Sequence, residues 1–283
     1  MKAVVLGAGG QLGSELVRLL PEAVGLTRAD LSVTDQEALD RACAAHRPVV
    51  VFNCAAYNAV DRAESEAGLA HQVNAGGAAN AATTCKRHGA QLVHFSTNFV
   101  FDGSLDRPYV ETDQPHPLGV YGRSKLDGER AVLEVLPAAL VIRTAAVFGH
   151  GGSATKGGSF PQRIAERALR RERIQVVSDQ RVNPTYAKDL AEAAIALATA
   201  GSSGIVHVVA KDCCGWDEFA RATLADCGIE AEVESVTSAE LASAASRPLN
   251  GCLGSTRVAP LRSWREALAE WAANRTVAER KSP

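Results

Sequence analysis

The stretch Tyr121-Gly-Arg-Ser-Lys125 sets a phenol and an ammonium four residues apart, which on a helix is one face. A tyrosine hydroxyl titrates at about pH 10, but a neighbouring ammonium favours its anion, so the pair can move a proton at neutral pH. Alone this spacing is common, and its weight comes from what precedes it. An apolar run ends in Ser96-Thr97, and at the amino terminus another meets Gly7-Ala-Gly-Gly-Gln-Leu-Gly13. Glycines at 7, 10 and 13 let backbone approach a pyrophosphate at a helix amino terminus, where unpaired N–H groups and the positive dipole end face the anion. In chain order these are a nucleotide cradle, a hydroxyl at a strand tip and a proton donor.

The second apolar run ends near Thr27 and Arg28, where an NAD site usually offers a carboxylate to the ribose hydroxyls. Here Arg28 stands first and Asp30 only beyond it. A guanidinium suits a 2′-phosphate through bidentate, charge-assisted bonds, so NADPH is the expected cofactor, with NADH as the second choice.

These groups need a scaffold that gathers strand ends. Residues 2–6, 23–27, 49–56, 91–97 and 140–148 read as strands, separated by helices over 11–20, 34–46, 63–88 (broken near Gly76 and Gly77) and 121–136. Thr34 with Glu37 three residues on reads as a capping box. Strands apolar throughout, with helices between them, predict a parallel sheet covered on both faces, an α/β doubly wound Rossmann-type fold. Beyond Gly149 come a glycine-rich loop (149–159), helices over 160–171, 186–199 and 216–226, and strands over 174–178 and 205–209. The division predicted is a dinucleotide-binding domain over 1–150, rejoined by about 185–210, and a smaller C-terminal substrate-binding lobe from 151–184 and 211–283.

Composition narrows the function. The 283 residues are 46% apolar and 22% charged, with a net charge of -2, which fits a globular protein and gives no basic field for nucleic acid. The knot Arg167, Arg170, Arg171, Arg173 reads as a solvated helix end. No signal-peptide pattern opens the chain, and no run reaches the roughly 18 apolar residues of a membrane span, so a cytoplasmic protein without membrane partners is expected. Seven cysteines, odd in number and never spaced CxxC, read as reduced core thiols. Asp61, Glu64 and Glu66 read as a helix start rather than a metal cluster, His94 as a core histidine, and Asn74 as either a turn cap or a partner of strand-end backbone. No metal is expected.

Taken together, the segments NCAAYNAVDRAESE, VNAGGAAN, HFSTNFVFDG, YGRSKLDGE, RTAAVFG and DQRVNPTYAKDLA resemble the dTDP-4-dehydrorhamnose reductase family, within the extended short-chain dehydrogenases/reductases. The likeness is nearly colinear from Met1 to about Leu268. It implies NADPH-dependent reduction of the 4-keto group of a nucleotide-linked 6-deoxyhexose. By that resemblance Thr97 bonds the substrate carbonyl, Tyr121 donates the proton, and Lys125 holds the nicotinamide ribose and depresses the Tyr121 pKa. Cofactor contacts fall to Gly7, Gly10, Gln11, Leu12, Arg28, Asp30, Leu31, Ala55, Ala56 and Tyr57, with Tyr121 and Lys125. Arg247, in SRPLN, becomes a candidate for the nucleotide phosphates, and a homodimer is a further expectation.

Departures from the family's pattern fall on the substrate side. Asn98 replaces an acid and Phe99 a tyrosine in STNFVFDG, while Ala146 replaces a tryptophan and Phe148 a tyrosine in RTAAVFG. A bulkier, branched or less polar nucleotide sugar is therefore an alternative substrate. Two other classes stay open: a silent NADP-binding subunit like the beta subunit of methionine adenosyltransferase, and an epimerase or dehydratase. Asn98 cannot serve as the acid that dehydration wants beside Thr97.

Overall fold

The computed structural model of the chain describes residues 1–151 and 157–275. Strands β1 (Ala3–Leu6), β2 (Val24–Leu26), β3 (Val50–Asn53), β4 (Gln91–Thr97) and β5 (Leu140–Thr144) share a six-stranded sheet with the later strand Gly204–His207. Its order is Gly204–His207, β5, β4, β3, β1, β2, every pairing parallel. The winding reverses between β1 and β3, and the carboxyl ends of β1, β3 and β4 open on that crevice.

Alternate strand residues feed two cores. Val5, Phe52, Val93 and Ile142 meet Leu12 and Leu16 of helix Gln11–Leu19 and Leu190 and Ala194 of helix Ala187–Thr199. Val4, Val51, Leu92 and Val141 meet Leu39, Ala81 and Val132, from helices Gln36–His46, Gly77–His88 and Val120–Val135 on the other face. A third, aromatic cluster joins Phe148, Tyr186, Phe219, Trp264 and Trp271. Near it Val233–Val236 pairs in parallel with Ile174–Val177. None of the described helices is long and apolar enough to cross a membrane.

Several local expectations are corrected. The second helix is capped by Asp35, whose carboxylate accepts from Ala38 N at 3.0 Å, while Thr34 turns to Ser32; the ionised oxygen is the better acceptor for a helix start. Residues 63–88 are not one helix interrupted at the glycines. Short helices Val60–Ala63 and Ala67–His71 lead into a π-helical turn, Gln72–Gly76, that runs directly into Gly77–His88. Nor is 140–148 a single strand. Ala146 takes φ 41°, in the left-handed region, and Val147–Phe148 then pairs with Thr185–Tyr186 outside the main sheet. Five cysteines are free, but Cys213 and Cys252 are joined in a disulfide, their Cα atoms 6.1 Å apart. A separation of 39 residues bridged by tertiary folding leaves no trace in cysteine spacing. Of the loop expected over 149–159, residues 152–156 lie outside the described residues.

Candidate active site

Gly7 turns the chain at the end of β1 with φ 77°. A Cβ there would stand 2.8 Å from the backbone N of Ala55, so only glycine lets this turn rest against the end of β3. Gly10 caps helix Gln11–Leu19 with extended backbone and donates to the Gly7 carbonyl at 3.1 Å. No side chain caps that helix and no acid stands in its first turn, so its opening N–H groups, at Gln11 and Leu12, are left for an anion. Gly151, in the later glycine-rich loop, closes on the same turn; a Cβ on it would stand 3.1 Å from Gln11 Cα.

Beyond β2, Asp30 accepts from Thr27 N at 2.8 Å and Thr27 Oγ1 at 2.7 Å, bonds that hold its carboxyl below the usual range. The turn so formed presents Arg28 to solvent, and among the described residues no hydrogen bond or ion pair engages its guanidinium. Leu31 packs on the second core. After β3 the chain passes Ala55 and exposed Ala56 to Tyr57, whose N–H and C=O are both held by the Asn74 side chain, at 2.8 and 3.0 Å. Asn74 therefore braces strand-end backbone, from within the π-helical turn. The extra residue of such a turn re-aims side chains, a common device at functional sites.

Thr97 ends β4 opposite Thr144 of β5 and is 6% exposed. Its Oγ1 accepts from Phe99 N at 3.2 Å and lies 3.3 Å from Asn98 Oδ1. Tyr121 is the second residue of helix Val120–Val135, whose first N–H is capped from afar by Glu64 Oε1 at 2.8 Å. Burial pushes the Tyr121 phenol above its ordinary value, opposed by a hydrogen bond with the Thr97 hydroxyl. One turn on, buried Lys125 donates from Nζ to the Phe95 carbonyl at 2.7 Å. Burial pulls its ammonium down to about 8, with Glu129 opposing. The expected depression of the Tyr121 pKa is thus not what the chain's own groups produce. Burial keeps the phenol protonated, as a general acid must be, while the ammonium is anchored on backbone.

Residues expected on the substrate side separate. Phe99 is half-buried and meets the Tyr121 ring edge-on, centroids 5.4 Å apart. Ala146 sits at the strained corner after β5, its carbonyl accepting from Thr185 N at 3.2 Å. Asn98 is 2% exposed, its amide spent on Thr97 and on the Gly251 carbonyl, to which it donates at 3.0 Å. Phe148 is fully buried, stacked with Tyr186 in the aromatic cluster, and so contributes core rather than pocket wall. Arg247 pairs bidentately with Asp61, at 2.7 and 3.0 Å.

The acidic run does separate jobs: Asp61 holds Arg247, Glu64 caps the Tyr121 helix, and Glu66 accepts from Tyr57 at 2.5 Å and from Arg62 at 2.6 Å. No group of three potential metal ligands forms among the described residues. His94 is neutral, held well below its ordinary pKa by burial, with Nδ1 facing Asn53 Nδ2 at 3.1 Å. Sequence reasoning missed Glu64 as a cap, because its helix lies 56 residues away. It also missed Glu129, whose only sequence signal is its place four residues after Lys125.

Sheet order and glycine turn define the class: a doubly wound Rossmann-type fold, with Thr97 at a strand tip and Tyr121 one helical turn before Lys125. The family described as RmlD substrate binding domain matches residues 1–277. The chain is 41% identical over 300 residues to dTDP-4-dehydrorhamnose reductase of Mycobacterium tuberculosis (strain CDC 1551 / Oshkosh), covering 100% of this chain and 97% of that protein. It is 36% identical over 278 residues to dTDP-4-keto-6-deoxy-D-glucose reductase of Streptomyces niveus, covering 94% and 95%. A crystal structure of dTDP-4-dehydrorhamnose reductase from Bacillus anthracis str. Ames in complex with NADP matches with a TM-score of 0.92 at 31% identity, covering 97% of this chain and 99% of that one. The chain belongs to the RmlD substrate binding domain family.

Proposed function

We propose that this protein reduces the 4-keto group of a dTDP-linked 6-deoxyhexose with NADPH. The observation that carries the reading is Thr97 at the tip of β4, Tyr121 packed edge-on against Phe99 two residues beyond it, and Lys125 buried one turn away, at the carboxyl end of a doubly wound sheet. The glycine turn, free of side-chain caps, and the unengaged Arg28 fit a dinucleotide with a 2′-phosphate. When bound, the reduced nicotinamide supplies the hydride. As charge grows on the carbonyl oxygen, Thr97 and Tyr121 are already aimed there and stabilise the transition state more than the ground state. Tyr121 then gives its proton to the alkoxide, and Lys125 orients the ribose.

Arg247 reaches the nucleotide phosphates in this reading by exchanging Asp61 for them, and the later chain with its aromatic cluster forms the smaller substrate lobe. The protein acts in the cytoplasm, as a homodimer. A second reading, a bulkier or less polar 4-keto sugar, is supported by Ala146, a methyl at the corner where a larger side chain would narrow the site. A silent regulatory subunit has no need of a phenol and a buried ammonium on one helix face beside a strand-tip hydroxyl.

The deciding experiment follows NADPH absorbance with a panel of dTDP-4-keto-6-deoxysugars. Turnover of dTDP-4-dehydrorhamnose supports the first reading and turnover only of branched or less polar sugars the second. Tight NADPH binding with no oxidation by any sugar rejects both. Arg28→Ala is expected to weaken NADPH binding by about 10- to 100-fold, the worth of charge-assisted bonds, and to leave NADH binding nearly unchanged. Titration of both cofactors checks this, and an equal loss for the two would remove Arg28 from the phosphate site.

A further inference from the structure

We infer that Asn98 is a positioning residue for Thr97, its amide setting the direction of the single hydrogen that Thr97 has to offer a substrate carbonyl. This rests on the ketoreductase reading. The amide is fixed from behind. Nδ2 donates to the Gly251 carbonyl at 3.0 Å, and Gly251 N donates in turn to the Arg181 carbonyl at 2.8 Å. Because a carbonyl only accepts, Nδ2 must face Gly251, and Oδ1 must face Thr97. The hydroxyl oxygen is held from its other side by Phe99 N, at 3.2 Å. Its hydrogen is therefore parked on Asn98 Oδ1 over 3.3 Å, a long and weak bond. A carbonyl or developing oxyanion displaces so weak an acceptor readily, and the hydroxyl oxygen need not move to meet it.

Gly251 completes the device. A Cβ at that position would collide with Asn98 Nδ2, so the glycine is what allows the amide to stand between the strand tip and the later chain. Neither a carboxylate nor an apolar side chain at 98 reproduces this layout. A carboxylate would face the Gly251 carbonyl with like charge and hold the Thr97 hydrogen far more tightly.

The test is a mutant cycle with a second, turnover-independent readout. Asn98→Leu keeps the volume and removes the amide; it is expected to lower kcat by about 10-fold or more, with KM for the sugar changed less and NADPH affinity unchanged. Gly251→Ala should give a similar loss alone and little further loss on top of Asn98→Leu, since the amide it strikes is then absent. In a Thr97→Val background, Asn98→Leu should cost nothing more. Ultraviolet titration of the NADPH complex, with Tyr121→Phe assigning the phenol, reads the same proton. Freed from Asn98, Thr97 donates wholly to the phenolate, and Tyr121 should ionise at lower pH in Asn98→Leu than in the unmodified protein. Full additivity of Asn98→Leu with Thr97→Val, or an unmoved phenol titration in a variant whose melting temperature and NADPH affinity are intact, overturns the inference. Absence of turnover in the unmodified protein overturns the ketoreductase reading instead, and the titration still decides the role of Asn98.

Discussion

Tyr121→Phe is expected to cut turnover by about 10²–10⁴-fold, the range for loss of a positioned general acid, while NADPH affinity stays close to that of the unmodified protein. The phenol stands in the first turn of its helix, against Phe99 and beside the strand tip that carries Thr97. Burial holds it protonated, with a pKa above the ordinary tyrosine value, so at neutral pH the proton is present when the alkoxide forms. Removing the hydroxyl leaves the ring and its edge-on contact with Phe99 in place, so the helix keeps its position and Lys125 keeps the Phe95 carbonyl. Steady-state kinetics with NADPH and the sugar measure the loss, and fluorescence titration of NADPH measures what is kept. A variant with near-native kcat would remove Tyr121 from the proton-transfer step.

The second large effect is on stability. Ser96, Glu129 and Arg143 form a buried triad beneath Thr97: Ser96 Oγ donates to Glu129 at 2.5 Å, and Arg143 grips the same carboxylate at 2.9 and 2.6 Å. Both charged side chains are 2% exposed. Arg143 also lies over the Phe101 ring, 5.2 Å from its centroid. Glu129→Ala strands a guanidinium and a hydroxyl in the core, and breaking such a pair costs about 3–5 kcal/mol. For a chain of this size that lowers Tm by roughly 10 °C. The double variant Glu129→Met/Arg143→Met leaves no orphan charge and should recover most of the loss. Thermal melting of the single and double variants checks the pair, and a double variant as unstable as the single would mean that packing, rather than the stranded charge, sets the cost.

Much of this was legible in the sequence because it is local. Strands such as 3–6 and 49–52 are apolar at every position, which only a sheet covered on both faces tolerates, and Gly7, Gly10 and Gly13 mark a turn whose backbone must pass close to a neighbour. That Thr97 would end a strand and that Tyr121 and Lys125 would share a helix face was readable from order and spacing. What was not legible depends on contacts distant in sequence. Nothing near Glu64 announces that it caps the helix starting at Val120, and nothing near Asn98 announces Gly251. Phe148 looked like pocket wall because Ala146 was read as a strand residue. Its φ of 41° turns the chain out of the sheet and sends the next side chains into the aromatic cluster. The cysteine pairing failed for the same reason, since Cys213 and Cys252 are brought together only by the folded later chain.

The sheet order also has a consequence during synthesis. β5 is complete at Thr144, but its outer edge is covered only by Gly204–His207, sixty residues further on. At about 5–20 residues per second, the ribosome leaves the apolar edge Leu140–Ile142 open for roughly 3–12 s. For that interval the nascent chain presents an unpaired, apolar parallel edge, the kind of surface on which neighbouring chains add strands. The last strand to join the main sheet is thus a seal against aggregation as much as a part of the scaffold.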